Sequence, residues 1–92
     1  MSRALVPAVM GKNRSRTEIA AAILAVARNG EKQVKIKEQS HLSSKRLKFY
    51  LEELTKSGLI EINVMNGTWV FTTSQKGIQY LVQYNMIGSM LK

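Results

Sequence analysis

Residues 39–60, QSHLSSKRLKFYLEELTKSGLI, gather hydroxyls and cations at a spacing suited to holding phosphate. Ser43 or Ser44 can accept from the free amides of a first helical turn, and Leu47, Leu51 and Leu54 recur at helical spacing as one stripe to be buried. On the wheel that this stripe defines, Lys45, Lys48, Phe49, Glu52 and Lys56 fall on or near the outward face. Lys45, Arg46 and Lys48 occupy the first turn and a half, whereas Glu52 and Glu53 come later. An acidic end repels phosphate, so the amino-terminal end must lead. That end also carries the positive pole of the helix dipole and outward-pointing amides.

The rest of the composition narrows the chemistry. The sequence has no Cys and no Asp, and His41 is its single histidine. Disulfides, thiolate metal sites, Ser-His-Asp triads and paired-Asp mechanisms are thereby excluded, and neither an enzyme nor a cofactor is expected. Ninety-two residues suffice for one domain with one core. The formal charge is +8 and the pI is near 10.1. Residues 1–58 hold twelve Lys or Arg against five Glu, or +7, while residues 59–92 hold two against one, or +1. A polyanion is the natural partner of so polarised a chain. The longest apolar run, Ile19 to Ala27, has nine residues, well short of the roughly twenty that span a bilayer, so no membrane association is expected. Residues 1–13 read as a flexible arm, basic and apolar, whose short apolar stretch is broken by Pro7 and is too weak for a signal peptide.

The elements that must position the cationic segment follow from periodicity and punctuation. Ser15 to Asn29 predicts a first helix with Ile19, Ala22, Ile23, Val26 and Ala27 on one face, stopped by Gly30. Glu31 to Lys35 suits a short strand or loop. Ile36 to Ser40 suits a brief second helix, and His41-Leu42 the turn into the serine-capped third. Gly58 ends that helix. Leu59, Ile60 and Ile62 then open a strand, and Asn66-Gly67 predicts a type I′ hairpin to a partner strand over Thr68 to Thr72. Trp69 and Phe71 share one strand face, from which an aromatic pair is expected to close the core, with Trp69 in a packing role. Thr73 or Ser74 can cap a last helix to about Met90. It carries two apolar stripes: Ile78, Leu81 and Val82, and then Tyr80, Tyr84, Ile87 and Leu91. The second would be left exposed on a monomer and reads as a homodimer interface.

This order of helix, short helix, capped helix, Asn-Gly hairpin and closing helix resembles a winged helix-turn-helix domain. The fold class is therefore α+β and mostly helical, with residues 14–72 as the domain and 73–92 as a dimerisation helix. HLSSKRLKFYLEELTKSGLIEI followed by WVFTTSQKGIQYL is similar to the small archaeal winged-helix DNA-binding proteins, including the ten-kilodalton chromosomal proteins. The resemblance implies a transcription regulator or nucleoid-associated protein of the cytoplasm, dimerising through its last helix and placing the third in the major groove. It makes Ser44, Lys45, Arg46, Lys48 and Phe49 the recognition-helix positions, and Met65 to Thr68, with Asn66 at the tip, the wing. That wing has no Lys or Arg.

The expected partner is double-stranded DNA, with no small-molecule ligand implied. Lys12, Arg14, Arg16, Lys35, Lys37, Lys45, Arg46 and Lys48 would neutralise phosphates, and Lys45, Arg46 or Lys48 can reach guanine edges. Phe49 either touches a thymine methyl or a sugar, or packs back under the second helix. The alternative function is a winged-helix adaptor for protein partners, which the neutral wing favours and the +7 portion opposes. Single-stranded RNA binding would need aromatics exposed on a sheet, and two strands offer little platform.

Overall fold

Ser15 begins the first helix with a reciprocal cap. Its hydroxyl accepts from the Glu18 amide at 3.1 Å, and the Glu18 carboxylate accepts from the Ser15 amide at 2.9 Å. The computed structural model describes residues 15–90 and the side chains as far as Met86; the arm 1–13 and Leu91 lie outside the described residues. Helix α1 is Arg16–Val26, continued by one tight turn at Ala27–Asn29, and Gly30 leaves it with φ +90°. Glu31 then makes a single antiparallel bridge to Phe71, its amide and carbonyl both bonded there at 3.0 and 2.9 Å.

Helix α2 is Gln33–Ser40, three residues earlier in onset than the apolar pattern predicts. Only Ile36 and Ser40 of it are buried, so its first turn carries no periodic signal. His41 ends it in the left-handed region at φ 57°, and Ser43 caps α3, Ser44–Lys56, by accepting from the Arg46 amide at 3.2 Å. The end of α3 is a Schellman motif: Leu59 N–H bonds Leu54 C=O, Gly58 N–H bonds Thr55 C=O, and Gly58 takes φ +79°. Strands β1, Ile60–Met65, and β2, Thr68–Thr73, pair antiparallel through a turn whose residues Asn66 and Gly67 both have positive φ, 53° and 77°. Helix α4 is Gln75–Met90.

One core holds these elements together. Ile19, Ile23 and Leu24 of α1 meet Ile36 of α2, Leu47, Leu51 and Leu54 of α3, and Ile60 and Phe71 of the hairpin. On α1 the buried set includes Ala20, Ala21 and Leu24, whereas Ala22 and Val26 are only half buried. The expected single stripe is wider because α1 is covered twice, by α2 on one side and α4 on the other. Phe71 enters the core as expected, but Trp69 does not: it is 59% exposed. Both lie on the hairpin face that Ile60, Ile62 and Val64 share, yet the ribbon has run past the helices by the Val64–Trp69 pair.

The junction of hairpin and α4 is closed by small residues. Ser74 caps α4 by accepting from Gly77 N–H and donates its own hydroxyl to the Gly58 carbonyl, while Thr73 donates to the Leu24 carbonyl at 2.6 Å. A Cβ at Gly77 would lie 2.4 Å from the Leu59 carbonyl oxygen and 2.5 Å from Thr73 Cγ2. Farther along, Tyr80 and Leu81 pack on the core, and the Tyr80 hydroxyl reaches the Thr17 carbonyl at 3.5 Å, a long hydrogen bond. Tyr84 and Leu81 line a shallow groove against Ala21, Ala22 and Ala25 of α1. The two tyrosines expected to stand free on a monomer are therefore half buried on their own domain.

Two outcomes follow from this packing. Gly77→Ala gains about 1 kcal/mol of helix propensity but forces a methyl onto a backbone oxygen, and we expect a net loss of about 2 kcal/mol in urea denaturation. Burial raises the pKa of Tyr84, with Glu18 and Tyr80 adding to the rise, and burial raises that of Tyr80. The folded protein thus holds these protons more tightly than the unfolded chain. Their contribution is complete below about pH 10 and is lost as pH climbs through the raised values. Tyr84→Phe should flatten the alkaline fall of the melting temperature, as read by melts on either side of pH 10.

Candidate nucleic-acid interface

Helix α3 owes its orientation to its leucines. With Leu47, Leu51 and Leu54 buried, Ser44, Lys45, Arg46, Lys48, Phe49, Glu52, Glu53 and Lys56 are all exposed. Each leucine gains roughly 1.5–3 kcal/mol from burial, far more than any surface charge contact could oppose. The amino-terminal turn and a half thus presents three cations, a serine and the positive end of the dipole to solvent. Phe49 is 48% exposed and meets Tyr50 edge-on at a centroid distance of 5.3 Å, so it stands outside the core instead of being buried beneath α2.

The other predicted contact residues divide by location. Lys37 of α2 lines a shallow cleft with Ser44 and Leu42, so it joins the leading end of α3. Lys35 lies on the far side of α2, in a depression shared with Gly30, Glu31 and Val70. Arg16 is exposed at the start of α1, one residue from the Thr17 carbonyl that Tyr80 reaches, and belongs to the α1–α4 side. Asn66 stands exposed at the wing tip. Lys12 and Arg14 lie outside the described residues. At the α3 carboxyl end Lys76 donates to the Ser57 carbonyl at 3.0 Å, a cation placed on the negative pole of the helix.

Between α3 and the hairpin runs a groove of about 590 Å³. Leu51 and Phe71 form its floor, Ile62 and Trp69 one wall, and Lys48, Glu52 and Lys56 the other. These three charged residues are spaced i, i+4, i+8 and form one row along α3. The sequence pattern gives the row but not the wall opposite. Alternation places Trp69 with Ile62, yet only the length of the ribbon beyond the core reveals that the pair faces solvent.

The profile of the winged helix-turn-helix family matches residues 13–92. The chain belongs to the winged helix-turn-helix family. Among solved structures it is similar to Sso10a-2, a DNA-binding protein from Sulfolobus solfataricus, with a TM-score of 0.77 and 18% identity over 84% of this chain and 81% of the other. The transcriptional regulator BldR from the same organism superposes with a TM-score of 0.67 and 18% identity, covering 89% of this chain and 66% of BldR. TubR from Bacillus thuringiensis serovar israelensis, solved bound to 24 bp of tubC, gives 0.66 at 12% identity over 94% and 95%. At such identities the likeness establishes the fold. No curated protein matches the chain by sequence. Within this winged-helix domain α3 occupies the second-helix position of the helix-turn-helix, α2 the first, and β1–β2 the wing. Among the described residues no helix is long and apolar enough to cross a membrane.

The cap of α3 is the local device that positions its leading end. Ser43→Ala should cost about 1 kcal/mol in thermal or chemical denaturation, because an orphan amide of the first turn loses its acceptor.

Proposed function

We propose that this winged-helix protein is a non-catalytic binder of double-stranded DNA, a transcription regulator or nucleoid-associated protein that inserts α3 into the major groove. The observation that carries the reading is the exposed face of Ser44, Lys45, Arg46, Lys48 and Phe49 on a helix locked from behind by three buried leucines. Lys37 extends that face across α2. Arg16 and Lys35 add to the attraction for phosphate without sharing the same patch, the charges of Lys12 and Arg14 add to it as well, and Asn66 reaches toward an adjacent groove from the wing. The DNA-binding, regulatory and DNA-bound natures of Sso10a-2, BldR and TubR support the same reading.

Lys45→Glu combined with Lys48→Glu should abolish duplex binding in an electrophoretic shift while moving stability by less than about 0.5 kcal/mol, since both side chains are exposed. With about four neutralised phosphates per subunit of a dimer, log K should fall with log salt at a slope near −7. A slope shallower than about −2 favours the adaptor reading, to which the uncharged wing with exposed Val64, Met65 and Trp69 lends its support.

We also infer a homodimer closed by α4. Tyr80 and Tyr84 bring only their outer edges to such an interface, since α1 covers the rest, whereas Val82 and Met86, one turn apart, are 50% and 58% exposed. Ile87 and Leu91 continue the apolar pattern toward the end of the chain. Met86→Glu should give folded monomers that bind DNA more weakly, because two recognition helices no longer act together. Light scattering decides it: a wild-type mass of one chain at tens of micromolar rules the dimer out.

A further inference from the structure

We propose that the groove between α3 and the hairpin takes an unpaired nucleobase, so that the protein prefers DNA with a locally unpaired segment over fully paired duplex. This inference rests on the DNA-binding reading above and deepens it. Trp69 is 59% exposed, braced by an edge contact to Phe71 at a centroid distance of 6.4 Å, and it faces a groove whose floor is apolar. An indole held in that position offers a π-face to any base, and stacking of this kind is tolerant of base identity.

The charges on the opposite wall select the occupant. Lys48 and Lys56 lie eight residues apart, about 12 Å along the helix, with Glu52 midway between them. A phosphate seated centrally would meet the Glu52 carboxylate. A base seated there can instead donate an exocyclic amine to it, while the flanking phosphates of the same strand fall toward the two lysines. A strand with its base turned inward satisfies all three charges; a compact anion satisfies one at most. The groove is also continuous with the proposed duplex-binding face, because Lys48 belongs to both. Carboxylate recognition further favours cytosine, adenine or guanine, which carry exocyclic amines, over thymine, which has none.

Trp69 is the only tryptophan of the chain, so its fluorescence reports the groove directly. The full-length protein is titrated with a paired duplex and with the same duplex carrying a short central run of unpaired cytosines. We expect the unpaired form to bind about tenfold more tightly, within the range of one base–aromatic stack, and to quench Trp69 emission. Trp69→Ala should erase the preference while leaving paired-duplex affinity within about twofold, and Trp69→Phe should retain most of it. Glu52→Gln, which leaves the tryptophan in place, should reduce the advantage of unpaired cytosine over unpaired thymine. Equal affinity for the two duplexes, unquenched emission on the unpaired one, or a preference that survives Trp69→Ala overturns the inference and leaves duplex binding standing. Failure of the wild type to bind either DNA overturns both.

Discussion

Burial of Leu47, Leu51 and Leu54 is the constraint on which the rest of this molecule depends. A helix with three leucines in the core has one rotational setting, since turning it by a quarter would expose several kcal/mol of apolar surface. Its cations need no partners to hold them in place. Their positions are a by-product of packing, and this leaves their charge free for a ligand. The same economy appears in α2, where Ile36 alone enters the core among long side chains and the lysines on either side of it are aimed outward.

The hairpin and α4 serve that helix indirectly. Leaving α3, the chain passes a Schellman stop at Gly58 and returns through the hairpin to Ser74, whose hydroxyl binds the Gly58 carbonyl. The two ends of the β-ribbon are thus fastened to the carboxyl end of α3, with Lys76 adding a third contact at Ser57. Close approach at Gly77 lets α4 start within reach of the Leu59 carbonyl and lie along α1. This knot of short-range bonds ties the base of the wing to the carboxyl end of α3.

Much of this was legible in the residues. The leucine spacing, the serine cap, Gly58 and the Asn-Gly turn each carry a local physical rule, and the order of elements follows from them. What local rules do not carry is the reach of one element beyond another. The onset of α2 at Gln33 is hidden because exposed polar residues have no period, and the bridge at Glu31 depends on a partner forty residues away. Trp69 was misplaced for the same reason: strand alternation assigns a face, but whether that face meets helices or water is set by how far the ribbon extends. Tyr80 and Tyr84 follow suit, since their stripe on α4 is real and its covering by the alanines of α1 is a matter of tertiary geometry. Among the candidate site residues, the common exposure of those on α3 was legible because one helix carries them all, whereas Lys35 and Lys37, two residues apart, part to opposite sides of α2.

The neutral wing acquires a physical sense beside this distribution of charge. Cations concentrate at the leading end of α3 and at Lys37, where a phosphate chain can approach without meeting Glu52 or Glu53. Farther along α3 the row alternates in sign, and the hairpin facing it is apolar. A cationic wing would extend one uniform field over both regions and hold any duplex with little regard for its state. On the proposed reading, an apolar wing opposite an alternating row leaves long-range attraction to the leading end and reserves the groove for contacts made at short range, by stacking and by a hydrogen bond to a carboxylate. Salt weakens the first kind of contact steeply and the second far less, so in the proposed complex the two regions would contribute separable parts of the affinity.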